Sequence, residues 1–267
     1  MPYLKSFTCA LVTGASSGLG EEFALQIASR VDKIVLVARR EFLLEQLAER
    51  IRARHPRVAV AVFVLDLANP VERERLVETL AGRGAMPDLL VNNAGLGDYG
   101  EFATADWEKI QSMLQVNIEA LTHLTHLLVP GMIRRGGAII NVSSLASVIP
   151  IPDFAVYAAT KAYVTSFSEA LRIELREHHI PVLAVCPGPV KTGFGSVSRR
   201  GDDSPGMPSR QSFYVPKQQV VAESLAALDR NAARVYPGLK TAAAALVLTA
   251  IPIVLLRFAL GFRPRRQ

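Results

Sequence analysis

Tyr157 and Lys161 stand four residues apart, so on a helix they project from one face, one turn from each other. An ammonium held beside a phenol favours the phenolate, and the spacing predicts a Tyr157 pKa pulled below its reference of about 10. Proton exchange with an alcohol or ketone near neutral pH requires such a group. Upstream, Ser143 and Ser144 follow the apolar run Ala138–Val142, which reads as a buried strand. A hydroxyl at the end of that strand then faces a helix-borne tyrosine across a cleft. Pairs spaced like Tyr157 and Lys161 are common by chance, so the surrounding elements must carry the assignment.

A second constellation lies near the start of the chain. Phe7–Thr13 is a short apolar run ending in Thr13-Gly14-Ala15-Ser16-Ser17-Gly18-Leu19-Gly20, and Glu21–Arg30 then has helical spacing. Strand, glycine turn and helix in that order let a backbone approach a pyrophosphate closely, while the helix offers free N–H groups and its positive end. The end of the second strand identifies the nucleotide. NAD readers place an Asp or Glu there for the ribose 2′-hydroxyl, whereas this chain has Ala38-Arg39-Arg40. A guanidinium fork fits a 2′-phosphate, no carboxylate stands at the strand terminus to repel it, and Ser16 or Ser17 adds a hydroxyl. These residues point to NADP(H).

The elements that must position both constellations follow one rhythm. Further strands are expected at Lys33–Val37, Val58–Leu65 (followed by Asp66), Leu89–Val91 (closed by Asn92-Asn93-Ala94-Gly95), Ala138–Val142, Pro181–Val185 (followed by Cys186, Pro187 and Gly188) and Arg234–Tyr236. Helical spacing lies between them: after Arg40 with apolar Phe42, Leu43, Leu44, Leu47 and Ile51, over Pro70–Leu80, as one long helix over Asp106–Val129 carrying Asn117, over Phe154–His178, and over Lys217–Asp229. Strand and helix alternate, and the strands are continuously apolar, so the class is α/β with a mostly parallel sheet covered on both faces. One domain is expected over residues 1–240. Lys191–Pro216 breaks the rhythm with Gly, Pro, Ser and Arg, and its place at the carboxyl edge of the sheet makes it a substrate loop or lid.

Composition narrows the function. Among 267 residues half are apolar and a fifth charged, as suits a buried core. The net charge is +6, but the basic residues are scattered without interleaved aromatics, which sets nucleic-acid binding aside. Cys9 and Cys186 lie in apolar runs and read as packing thiols. His123 and His126 have no further ligand-type residues around them, so no metal is expected. His178 and His179 close a helix where imidazolium suits the negative end, and Trp107 reads as a packing residue. The first residues lack the layout of a signal peptide, and a cytoplasmic location is expected.

Taken jointly, Thr13-Gly14-x3-Gly18-x-Gly20, Asp66, Asn92-Asn93-Ala94-Gly95, Asn117, Ser144, Tyr157-x3-Lys161 and Pro187-Gly188 with Thr192 resemble the short-chain dehydrogenase/reductase family in its NADP-preferring branch, over roughly residues 5–240. The resemblance implies a Rossmann-type doubly wound parallel sheet of about seven strands. It implies that Tyr157 exchanges the proton, Lys161 lowers its pKa and holds the nicotinamide ribose, Ser144 (its offset to Tyr157 favouring it over Ser143) bonds the substrate oxygen, and Asn117 supports a water relay to Lys161. The cofactor set it implies is Gly14, Ser16, Ser17, Gly18, Leu19, Gly20, Arg39, Arg40, Asp66, Leu67, Asn93, Ala94, Gly95, Tyr157, Lys161, Pro187, Gly188, Val190 and Thr192. The expected substrate is a small carbonyl or alcohol of apolar character, and the expected assembly a homodimer or homotetramer. A redox-neutral epimerase or dehydratase, or an NADPH-binding sensor without activity, are the alternatives.

The chain's last stretch stands apart. Ala242–Leu256 is nearly unbroken apolar sequence, followed by Arg257, Phe258-Ala-Leu-Gly-Phe262 and Arg263-Pro-Arg-Arg266. Pro252 and Arg257 interrupt it, and the terminal arginines oppose a single outward span. Residues 241–267 are therefore expected to lie peripherally on the cytoplasmic face of a membrane, arginines on anionic headgroups, with a span or hairpin and a hydrophobic dimer seam as the alternatives.

Overall fold

The computed structural model describes residues 7–200 and 214–252, together with Val254 and Phe258. Seven strands form one sheet: β1 Phe7–Thr13, β2 Val31–Ala38, β3 Ala59–Val64, β4 Leu89–Asn92, β5 Ala138–Val142, β6 Val182–Val185 and β7 Arg234–Val235. Their order is β3-β2-β1-β4-β5-β6-β7 and every pairing is parallel. This is the doubly wound, Rossmann-type α/β sheet expected from the alternation of elements. The continuous apolar runs are explained by burial on both faces. Along β1, Ala10 and Val12 enter one core with Phe23 and Ile27 of α1 (Gly18–Ile27), Leu44 and Leu47 of α2 (Glu41–Arg54) and Val220 and Leu228 of α8 (Lys217–Asp229). Cys9 and Leu11 enter the other, with Leu76 and Leu80 of α3 (Pro70–Gly82) and Leu124, Leu128 and Met132 of α5 (Leu121–Arg135).

The strand order reverses between β1 and β4, and the crevice outside their carboxyl ends is where ligands bind in such sheets. The turn after β1 and the segment Asn93–Gly95 after β4 both open into it. The helix α6 (Ala155–Glu174) follows β5 and a 3-10 turn at Leu145–Val148, and it brings Tyr157 and Lys161 to the same edge.

Two expectations are refined or corrected. The helix expected over Asp106–Val129 is present but carries a π-helical turn: α4 (Trp107–Leu114) passes into it at Gln115–Ala120 and continues as α5. Apolar periodicity runs straight through such a turn, which is why the sequence reads as uninterrupted; the wider turn re-aims Asn117. Trp107 is not a packing residue, since it is 63 % exposed at the first turn of α4. The stretch Lys191–Pro216 carries a short helix, α7 (Phe194–Val197), and its ends are tied by a bridge between Val190 and Val215; residues 201–213 lie outside the described residues.

The start of the tail is a helix, α9 (Leu239–Ala250), with Thr241 and Ala245 buried and Leu239, Leu246 and Val247 exposed. Among the described residues no helix is long and apolar enough to cross a membrane. Most of the tail beyond Pro252 lies outside the described residues.

Candidate active site

The turn after β1 is held open by polar contacts from β4. Thr13 Oγ1 donates to the Val91 carbonyl at 3.2 Å and accepts from the N–H groups of Asn93 and Ala94 at 2.9 and 3.0 Å. Asn93 Nδ2 donates to the carbonyls of Thr13 and Gly14 at 3.0 and 3.3 Å. Gly14 sits at φ +64°, and a Cβ there would lie 2.9 Å from Asn93 Nδ2 and the Ala94 Cα. At Gly20 the approach is closer still, 2.3 Å to the Gly14 carbonyl oxygen. A side chain at either position would push the turn away from β4. The glycines are thus set by packing of the turn itself, and Ser17, which precedes α1, makes no side-chain cap. The first N–H groups of that helix are left to an anion.

Arg40 reaches back over this turn. Its Nε and Nη2 donate to Ser16 Oγ at 3.2 and 2.9 Å, and Nη2 also donates to Ser17 Oγ at 2.7 Å. One cation and two hydroxyls converge on the solvent side of the turn, a donor set that suits a phosphate dianion. Arg39 points elsewhere. Its Nη1 lies 3.9 Å from Asp66 Oδ2, with both side chains about half exposed. Asp66 also caps its own turn through Ala68 N–H at 3.0 Å, and the side chain of Leu67 is buried in the core.

The proton-handling residues meet across the end of β5. Ser143 faces inward, hydrogen-bonded to the Lys161 carbonyl at 2.8 Å and to Thr165 Oγ1 at 2.7 Å. Ser144 faces the crevice beside the Tyr157 phenol, its Oγ accepting from Ala146 N–H at 3.1 Å. Lys161 Nζ donates to the Val142 carbonyl at 2.9 Å and lies 5.7 Å from the centre of the Tyr157 ring. The pKa expectation is corrected here. Burial pushes Tyr157 up to about 12, the neighbouring Ser144 hydroxyl offsetting only part of it. Burial likewise pushes Lys161 down to about 8. Lys161 takes no part in the phenol's shift here, its ammonium donating to the Val142 carbonyl.

Asn117 is engaged at both ends of its amide. Oδ1 accepts from Leu96 N–H at 2.8 Å, and Nδ2 donates to the Leu96 carbonyl at 2.9 Å and to Thr160 Oγ1 at 3.0 Å. It braces the segment after β4 against α6. Gly95 lies at the centre of this group, since a Cβ there would stand 3.4 Å from both Asn117 Oδ1 and Lys161 Nζ. Pro187 ties down the turn after β5, its carbonyl accepting from Leu145 N–H at 2.8 Å. Gly188 packs against α9, where a Cβ would lie 2.8 Å from Thr241 Oγ1. Thr192 approaches Gly18 from above, its Cβ 3.4 Å from where a side chain would begin.

Several participants escaped the sequence. Phe194 lies 5.4 Å from Tyr157 ring to ring, Phe154 stacks on Tyr157 at 4.2 Å, and Tyr99 meets Phe154 at 5.9 Å. Together they wall the phenol with apolar surface. Arg200 fastens this wall: its Nη2 pairs with Asp98 Oδ2 at 2.6 Å and its Nη1 donates to the Glu101 carbonyl at 2.6 Å. Partners so far apart in the chain leave no local signal. His123 has a different use from metal binding, accepting from Arg73 at 3.1 Å.

Comparison with known proteins agrees with this geometry. A family model described as short chain dehydrogenase matches residues 8–203. The very-long-chain 3-oxoacyl-CoA reductase of Anas platyrhynchos is 36 % identical over 203 residues, 73 % of this chain; the chain spans 64 % of that protein's length. Two solved structures superpose across 97 % of the chain. One is a short-chain dehydrogenase from Sphingobium yanoikuyae in complex with NADPH (30 % identity, 97 % of that chain, TM-score 0.79). The other is the bulky-bulky ketone specific alcohol dehydrogenase from Comamonas testosteroni (28 % identity, 95 % of that chain, TM-score 0.76).

Proposed function

Because the chain belongs to the short chain dehydrogenase family, we propose that it is an NADP(H)-dependent oxidoreductase interconverting a carbonyl and a secondary alcohol on a lipophilic substrate. The observation that carries this reading is the Tyr157 phenol, buried beside Ser144 at the carboxyl edge of the sheet with Lys161 one turn along the same helix. A module that only bound the nucleotide would have no need of a buried proton donor aimed into the crevice.

The residues divide into a cradle and a proton site. Gly14, Gly18, Gly20 and the start of α1 take the pyrophosphate, with Leu19 beside them. Arg40, Ser16 and Ser17 take the 2′-phosphate, and Arg39 stands next to them. The Asp66–Leu67 turn flanks the adenine, Asn93, Ala94 and Gly95 form the floor, and Pro187, Gly188, Val190 and Thr192 close over the far end. NADP(H) held there supplies the hydride. Tyr157 donates its proton to the carbonyl oxygen in reduction and takes it back in oxidation, while Ser144 hydrogen-bonds that oxygen and fixes its distance from the phenol. Lys161 holds positive charge beneath the site as the phenol loses its proton, and Asn117 keeps Gly95 and Leu96 against both. The aromatic wall of Tyr99, Phe154 and Phe194 excludes water and favours an apolar substituent beside the carbonyl. The named activities of the duck and Comamonas relatives, on very-long-chain 3-oxoacyl-CoA and on bulky ketones, support a lipophilic substrate.

The test is NADPH consumption over a panel of ketones from short to long, with NADH in parallel and Tyr157→Phe as the comparison. Wild type should turn over the longer ketones with NADPH in preference to NADH. Tyr157→Phe should lose at least about a hundredfold in kcat while its NADPH affinity stays within a few-fold. Equal rates in the variant would sink the assignment of Tyr157, and preference for NADH would sink that of Arg40. The exposed apolar side of α9, with the arginine-rich residues after it, supports peripheral contact with a cytoplasmic membrane face, and assembly as a homodimer or homotetramer belongs to the same reading.

A further inference from the structure

Arg73, on α3, heads the wholly buried side chains by size at 1 % exposure, and nothing in the reaction above uses it. A guanidinium carries five N–H donors and no acceptor and keeps its charge, so its burial is tolerated only where those donors are answered. Three separate segments answer them. Nη1 donates to the Leu67 carbonyl at 2.6 Å, Nε donates to His123 Nδ1 at 3.1 Å, and Nη2 donates to the Glu119 carboxylate. His123 Nε2 in turn lies 3.8 Å from Glu74 Oε1, which suits an imidazole with its acceptor toward Arg73 and its N–H toward Glu74. Leu67 belongs to the turn after β3. Glu119 belongs to the π-helical turn, two residues beyond Asn117, and His123 to the first turn of α5.

A π-helical turn holds one residue more than an α-helical one, so it has a neighbouring register into which it can relax. A shift of one residue rotates a helix by about 100°, enough to carry Asn117 off Leu96. Leu96 and Thr160 hold the turn from the crevice side, and Arg73 holds it from the side of α3. We propose that Arg73 is a positioning residue: its single guanidinium fixes both the register of the turn bearing Asn117 and the place of the Asp66–Leu67 turn. The inference rests on the oxidoreductase reading for what those two turns do.

Glu119→Gln and Arg73→Met separate the two ends, with circular dichroism confirming the fold of each. Amide hydrogen exchange on the protein without nucleotide reads the turns directly. Glu119→Gln should speed exchange over residues 115–121 about tenfold, as expected for loss of a charge-assisted hydrogen bond, and leave residues 65–69 as in wild type. Arg73→Met should speed both segments. In NADPH titration and turnover, Glu119→Gln should keep the affinity within about twofold while kcat falls about tenfold, and Arg73→Met should lower both about tenfold. Should Arg73→Met fail to fold, Arg73→Lys, which keeps the charge but not the fork, takes its place with the same expectation. A lowered melting temperature with wild-type exchange, affinity and kcat overturns the proposal. Wild-type protein that neither binds NADPH nor reduces a carbonyl would overturn the oxidoreductase reading instead, and would leave the exchange result standing on its own.

Discussion

Lys161 is buried without a carboxylate partner among the described residues, and burial holds it at about 8 against an ordinary 10.5. Between those values the folded chain binds fewer protons than the unfolded one, so stability rises with pH across that window and is lowest below it. The shift corresponds to a few kcal/mol at most, on the order of 3 kcal/mol. Lys161→Met should therefore raise the melting temperature at pH 7 by several degrees while removing turnover, and its urea midpoint should no longer climb between pH 7.5 and 10. A variant keeping the wild-type slope would show that the burial penalty is not felt. Tyr157 acts in the opposite sense. Its folded value of about 12 exceeds the ordinary 10.0, so its contribution is complete below pH 10 and is lost as pH approaches 12. That Tyr157 and Lys161 meet at this site was legible from type and spacing, since residues four apart on a helix share a face. The direction of the phenol's shift was not, because spacing does not say whether the ammonium turns to the phenol or to the Val142 carbonyl. Nor could the two serines be separated from their own residue types; Thr165 and the Lys161 carbonyl decide it by engaging Ser143.

Among the elements, the strands and most helices follow from apolar runs and glycine turns because burial alone determines them. The π-helical turn does not, since its apolar period continues through it, and α7 does not, since what orders it is distant. The side chains of Asp98 and Arg200 retain 5 % and 18 % of their exposure, and they lie in segments that meet only in the folded chain. Tyr99 N–H donates to the Ser198 carbonyl at 2.9 Å beside them. A Cβ at Gly97 would lie 2.6 Å from Ser198 Oγ, and one at Gly100 would lie 2.9 Å from the Arg200 guanidinium. Arg200→Ala strands a buried carboxylate and should cost about 3 kcal/mol in chemical denaturation. Asp98→Asn keeps the shape and an acceptor and should cost about 1 kcal/mol. Both should expose the α7 segment to trypsin at Arg199, and equal losses in the two variants would contradict the assigned asymmetry.

For the molecule as a whole, the sheet order means that β1, made first, has a neighbour that arrives only after α3. Asp88 joins them at the other end of the sheet, its carboxylate accepting from the N–H groups of Thr8 and Cys9 at 2.8 Å and its carbonyl from Ala138 N–H at 2.8 Å. The alternation of elements made this architecture legible, whereas the tail was not, because an apolar helix reads alike whether lipid or protein covers it. Thr241 and Ala245 of α9 face the body and Leu246 and Val247 face away. The full chain should co-sediment with phosphatidylserine vesicles at low salt, less so as salt rises. Leu246→Glu with Val247→Glu should weaken that binding, and protein that stays in the supernatant with every vesicle would remove the membrane from the reading. The bridge between Val190 and Val215 has a further meaning. Because both feet of the segment are fixed to the frame, a change in its length carries a small closure penalty, about 0.6 kcal/mol for each doubling. One frame can then be refitted for a new substrate within the stretch between two valines, provided Thr192 at the glycine turn, Phe194 beside the phenol and the Arg200–Asp98 pair are kept.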